Sequence, residues 1–157
     1  MDKPTDLDIL TFHPAHVEVA DLTEHETRNF ARVPGAYGKM ENLAKASAQA
    51  VTVMQHGRIL LMCGFITIWP GVAELWLIPT VHAQESPVVF CKSVKRFIEL
   101  MGETLKLHRM QALAVADEPH TNFMEFLGFE REGTLRQYSD VKEDFIQWSR
   151  LFPERSI

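Results

Sequence analysis

The stretch HTNFMEFLGFEREGTLRQY, residues 120–138, decides how the rest of the chain is read. Phe123, Phe126 and Leu127 lie three and four residues apart, so on a helix they share one face. Gly128 follows where a helix C-terminus turns to positive φ, which glycine adopts without a Cβ penalty. Phe129 then starts a strand, Gly133-Thr134 relaxes it, and 135–138 resumes it. Just upstream, Asp117-Glu118-Pro119-His120 reads as the start of that helix, with acids set against the positive end of its dipole.

Working outward, residues 144–151 (DFIQWSRL) form a final strand and 110–116 an apolar strand before the helix. Residues 88–107 make a long helix whose stripe is Val89, Val94, Phe97, Ile98, Met101 and Leu105. Strand 72–78, that helix and strand 110–116 form a β-α-β unit, which predicts a parallel pair joined by a right-handed crossover. Before it, 51–55, the turn His56-Gly57 and 58–69 read as a hairpin. Pro70-Gly71 turns into 72–78, completing a meander whose middle strand is apolar on both faces, as in a covered central strand.

The N-terminal third is less regular. Residues 8–12 are a strand, and Pro14 suits the first turn of a helix over 15–22. Thr23-x-x-Glu26 is a capping box opening a helix to residue 32. Residues 33–39 (VPGAYGK) are a loop, and 40–50 an alanine-rich third helix. Residues 79–87 form a further loop, and the tails 1–7 and 153–157 are expected to fray.

A chain of 157 residues buries a core without staples, which predicts one domain over 1–157. Its net charge of -5 opposes nonspecific nucleic-acid binding, which clustered cations drive. Cys63 and Cys91 lie in apolar segments without C-x-x-C or Cys/His spacing, which predicts free thiols in a reducing cytoplasm and no metal. No cationic and apolar leader opens the sequence, and the longest apolar run, 59–69, is too short for a membrane span.

The helix, its Gly128-Phe129 exit and the run E-x-x-G-x-L-R-x-Y over 130–138 resemble the C-terminal half of a GNAT (GCN5-related N-acetyltransferase) domain. The element order, reached from periodicity, is similar to that family over nearly the whole chain. The resemblance implies an α+β fold of the acyl-CoA N-acyltransferase type. In that fold a mostly antiparallel mixed sheet carries one parallel, splayed pair, with helices on both faces. It also implies transfer of an acetyl group from acetyl-CoA to a small-molecule or peptide amine, without a metal. The pantetheine would lie along strand 72–78 like an added strand, bonding to the backbone of Trp76, Leu77 and Ile78. A backbone N–H there would polarise the thioester carbonyl.

The same resemblance exposes two departures. The pyrophosphate loop of the family, R/Q-x-x-G-x-G/A, corresponds here to residues 79–87, where Glu85 and Pro87 replace glycines. Glu85 brings negative charge and Pro87 lacks an N–H, leaving His82 and Gln84 as candidate donors. The tyrosine that many members use as general acid is replaced by Met124, while Asn122 matches a frequent asparagine that contacts the cofactor. Glu74 matches a glutamate that some members use as general base, and His120 is the alternative. Each is also readable as ordinary structure: Glu74 as a solvent-facing strand residue, His120 as a helix-start residue, Asn122 as a surface or capping amide.

The segment FHPAHVEVADL, residues 12–22, is also similar to small GNAT-like proteins of tailed phages, including an internal virion protein. That resemblance implies an alternative, a catalytically inactive structural or interaction module of phage or prophage origin whose partner is a virion or host protein. A ligand sensor that keeps the cleft but binds something other than CoA is a third reading. The family resemblance further implies a homodimer through sheet edges. Neither a membrane nor a nucleic acid is expected as partner.

Overall fold

The computed structural model describes residues 7–32 and 36–153. Its elements run β1 (Leu7–Thr11), α1 (Ala15–Val19), α2 (Glu24–Arg32), α3 (Ala36–Ala46), β2 (Ser47–Gln55), β3 (Arg58–Trp69), β4 (Val72–Pro79), α4 (Val81–Glu85), α5 (Pro87–Thr104), β5 (Arg109–Val115), α6 (Glu118–Phe126), β6 (Glu130–Leu135) and β7 (Phe145–Leu151). Seven strands form a mixed sheet in the order β1-β2-β3-β4-β5-β7-β6. The β4–β5 pair is parallel, as the β-α-β reading predicts. The chain's own contacts divide into two units, Met1–Ile66 with Trp76–Phe90, and Thr67–Leu75 with Cys91–Ile157.

In the first unit the β2–β3 hairpin is set by its two-residue turn. His56 and Gly57 both take positive φ, +52° and +75°, the geometry that matches strand twist in a tight hairpin. From Ile59 to Phe65 every residue of β3 is buried, so both faces of this strand are covered. Phe12, Val17, Ile59, Met62 and Ile78 form one apolar cluster, with Trp76 and Leu22 packed against it. The capping reading of Thr23 holds, since its Oγ1 accepts the Glu26 N–H at 3.2 Å.

Several boundaries differ from the sequence expectation: α1 ends at Val19 rather than residue 22, and β6 ends at Leu135 rather than running on to residue 138. The third helix starts at Ala36, inside the expected 33–39 loop, of which 33–35 lie outside the described residues. It ends at Ala46 rather than residue 50, and β2 begins at Ser47. Pairing decides this. Ser47, Gln49 and Ala50 lie opposite Ile66, Phe65 and Gly64, so ladder bonds outweigh the helix preference of Ala48 and Ala50. The Ser47 hydroxyl donates back to the Leu43 carbonyl at 2.6 Å and helps close the helix.

In the second unit β7 lies between β5 and β6. It pairs with β5 over seven positions, from Arg109↔Leu151 to Val115↔Phe145. Its ladder with β6 shifts between Arg131 and Gly133, the bulge that Gly133 foreshadows. Helix α5 buries Val94, Ile98 and Gly102. Gly102 is required by close approach, because a Cβ there would lie 2.5 Å from the Phe152 ring.

Helix α6 corrects the expected apolar face. Met124 and Leu127 are buried, while Phe126 is 44% exposed, with the Lys95 ammonium 4.9 Å from its ring centroid. The helix ends as expected at Gly128, with φ +87°. The Arg150 guanidinium donates to the Leu127 carbonyl at 2.9 Å, satisfying one orphan carbonyl of the helix end.

Gly64→Ala is expected to destabilise the protein by about 1–3 kcal/mol, the usual cost of overpacking. A Cβ at that position would sit 2.8 Å from both the Gln49 carbonyl oxygen and the Trp76 ring. Chemical denaturation followed by tryptophan fluorescence measures the loss, and an unchanged midpoint contradicts this packing.

Candidate functional site

Strand β4 carries four of the eight candidate residues, Glu74, Trp76, Leu77 and Ile78. Its parallel ladder with β5 comprises Val72↔Arg109, Ala73↔Met110 and Glu74↔Gln111. Each strand continues past that ladder, β4 to Pro79 and β5 to Val115. Trp76, Leu77 and Ile78 therefore occupy the part of β4 beyond the stretch paired with β5.

Their side chains anchor this segment within the first unit. Trp76 Nε1 donates to the Ser47 hydroxyl at 2.9 Å, and its ring meets Phe12 edge-on, with centroids 5.1 Å apart. Ile78 is buried in the apolar cluster, and Leu77, alternating with both, is half-buried. What β4 offers here is a fixed backbone, with its side chains already committed to packing.

Thr80 ends the strand and is fully buried. Its hydroxyl donates to the Ile59 carbonyl at 2.7 Å, with the Leu60 carbonyl at 3.0 Å as a second acceptor. The same oxygen accepts the His82 N–H at 3.2 Å and so caps α4. Residues 79–87 are thus a strand end and a short helix rather than the expected open loop.

On α4, His82 is pinned on both sides. Its Nε2 lies 2.7 Å from Asp21 Oδ2 and its Nδ1 3.1 Å from Glu85 Oε2. These bonds, to Asp21 first and to Glu85 second, raise the His82 pKa above its ordinary value. The Val81 N–H donates to the Asp21 carbonyl at 3.0 Å, and Leu22 bridges to Thr80, so residues 21–22 and 80–82 are tied together through backbone as well. Glu85 also faces Arg58 Nη1 at 3.9 Å. Glu85 is therefore a partnered carboxylate rather than the bare repulsive charge that its place in the sequence suggests. Gln84 is exposed. Helix α5 opens on Pro87, which has no N–H, so its first turn offers one donor fewer than a glycine there would.

The second unit holds the remaining candidates. Glu74 is half-buried on β4, opposite Gln111. Asp117 caps α6: its Oδ1 accepts the His120 N–H at 2.8 Å and lies 2.7 Å from His120 Nδ1. His120 is thus engaged by the cap of its own helix. Asn122 is exposed on α6, and Met124 is 5% exposed and part of the core.

Sequence reading missed Asp21, Arg58 and Thr80. No local pattern marks Asp21, which meets His82 across 61 positions of chain. It also missed His16, whose Nδ1 accepts the His13 N–H at 3.2 Å and lies 2.7 Å from the buried Thr52 hydroxyl. Burial, reinforced by His13, lowers the His16 pKa. Cys63 and Cys91 are free thiols, both pushed up by burial and Cys63 the further.

A mixed seven-stranded sheet with one short parallel pair and this helix order is the acyl-CoA N-acyltransferase fold of GNAT proteins. Ard1 from Thermoplasma volcanium superposes with a TM-score of 0.77 at 12% identity, over 94% of this chain and 99% of that one. Ribosomal-protein-S5-alanine acetyltransferase from Vibrio fischeri gives 0.71 at 15% identity, over 96% and 95%. A GNAT-family acetyltransferase from Bacillus anthracis gives 0.70 at 15% identity, over 95% and 96%. No protein-family model matches the sequence, and no curated protein matches it. At these identities the likeness is one of fold.

Two substitutions check the local anchors. Thr80→Val keeps the shape and removes the hydroxyl, leaving the His82 N–H without its cap, and should cost about 1–3 kcal/mol in a thermal or denaturant melt. Asp117→Ala should cost about 1 kcal/mol through loss of the α6 cap, and Asp117→Asn distinctly less. Equal losses for the two Asp117 variants would assign its role to charge rather than capping.

Proposed function

We propose that the chain is an acetyl-CoA-dependent N-acyltransferase acting on a small-molecule or peptide amine. The observation that carries this reading is the parallel ladder, which involves β4 only from Val72 to Glu74 and leaves β4 to run on to Pro79. Pantetheine amides would bond to the backbone of Trp76, Leu77 and Ile78 as an added strand does. A backbone N–H of the same segment would receive the negative charge that develops on the thioester oxygen. The amine nitrogen attacks the carbonyl carbon, a base takes the amine proton, and the CoA thiolate leaves. Glu74 and His120 are the assigned bases; the core position of Met124 leaves the thiolate to take its proton from elsewhere than residue 124.

The residues after β4 fit the phosphates less well than β4 fits the pantetheine. Pro87 has no N–H, and the His82 ring nitrogens face carboxylates. His82, Gln84 and Asn122 remain the proposed cofactor contacts, and the affinity should be modest. The same features favour a second reading, a catalytically inactive GNAT-like structural or interaction module of phage or prophage origin. The enzyme would act in the cytoplasm, and the module would be associated with the virion. Among the described residues no helix is long and apolar enough to cross a membrane.

Calorimetric titration of acetyl-CoA, with desulfo-CoA and pantetheine alongside, separates the two readings. Binding at micromolar strength or better upholds the enzyme, to be followed by an acceptor screen. A folded protein that binds none of them is the module. Pro87→Ala restores one N–H at the start of α5 and should tighten acetyl-CoA roughly two- to tenfold, the worth of one backbone hydrogen bond. No gain would mean that the phosphates lie elsewhere.

A further inference from the structure

We propose that protonation of His82 sets the affinity of the β4–α5 turn for acyl-CoA phosphates, with binding weakening as the imidazolium loses its proton. This rests on the acyl-CoA reading above and names a regulation of that site.

Carboxylates only accept hydrogen bonds when ionised, so a ring with both nitrogens against carboxylates must donate from both. His82 does this towards Asp21 at 2.7 Å and Glu85 at 3.1 Å, which requires the imidazolium. The charged groups around it come from its own helix and from two further places. Asp21 lies between α1 and α2, Glu85 is on α4 itself, and Arg58 opens β3 and faces Glu85 at 3.9 Å. His56, in the β2–β3 turn, lines the same cavity of about 310 Å³ as Arg58, His82, Glu85 and Ser86. Ser86 directly precedes Pro87, the first residue of α5, so this cluster abuts the helix start proposed for the phosphates.

With His82 protonated, the two cations, His82 and Arg58, balance the two carboxylates, Asp21 and Glu85. When the proton leaves, the ring can donate to only one carboxylate. The cluster then carries one uncompensated negative charge beside a polyanionic ligand. The raised His82 pKa places this step above the ordinary histidine value of 6.5. Stability follows the same sign. A group with a raised folded-state pKa stabilises fully below its unfolded value, and that contribution fades as pH climbs through the folded value. By reciprocity, a bound phosphate raises the His82 pKa further.

The test pairs two readouts. The first is an NMR titration of the histidine ring protons, with His82→Gln assigning the His82 signal; a midpoint above the ordinary histidine range is expected. The second is acetyl-CoA calorimetry from about pH 6 to about pH 8.5, the span over which histidine charge changes. Wild-type affinity should fall roughly three- to tenfold across it, the effect of one nearby unit charge in screened surroundings. His82→Gln should bind as weakly as alkaline wild type and lack the fall, which also controls for titration of the ligand's own phosphate. Asp21→Asn should move the His82 midpoint down. Binding with a flat wild-type profile, a fall that persists in His82→Gln, or an ordinary His82 midpoint would each overturn this inference while leaving the acyl-CoA reading standing. No acetyl-CoA binding at any pH would overturn both.

Discussion

A single buried hydroxyl fixes the end of the central hairpin. Thr80 is fully buried, and burying a hydroxyl is tolerable only when its hydrogen bonds are made. Its oxygen meets the Ile59 and Leu60 carbonyls and the His82 N–H. One residue thereby holds β4 against β3, stops the strand and starts α4. The direction in which the chain leaves β4, and hence where α5 begins, depends on it. Leu22 and Asp21 join through the bridge to Thr80 and the bond from the Val81 N–H.

Within that frame β4 serves two purposes along its length. Its first three residues are consumed by the parallel ladder with β5. Its later residues lie beyond that ladder, beside β3 in the sheet, and their side chains are anchored as well, Trp76 on Ser47 and Phe12 and Ile78 in the apolar cluster. Gly64 belongs to this arrangement, because a side chain there would occupy the Trp76 ring position.

The electrostatics of the α4 turn change the meaning of its composition. Read residue by residue, Glu85 opposes phosphate and His82 attracts it. In the folded chain both charges are committed, to each other and to Asp21 and Arg58. The turn is near neutral while His82 is protonated, and its net charge is governed by one proton rather than by the glycine content of the loop. The second unit shows a parallel case in Arg109, whose guanidinium pairs with Glu132 across the sheet and has its own pKa raised by that bond.

The sequence by itself determined what short-range rules govern. The His56-Gly57 turn, the limits of β3, the doubly apolar central strand, the β-α-β unit and the Gly128 stop all follow from φ requirements and from hydrophobic period. The expected seven strands are present, and the parallel pair lies where a crossover helix demands it. Tertiary structure decided what depends on partners distant in the chain. Ser47 to Ala50 left the helix for the sheet because β3 supplies ladder bonds. Phe126 turned outward because Met124 and Leu127 take the buried face of α6. Residues 81–85 became helical because Thr80, itself fixed by β3, caps them. The Asp21–His82 pair spans 61 positions, and no local periodicity records such a meeting; it exists only once the backbone of residues 21–22 and 80–82 has been brought together.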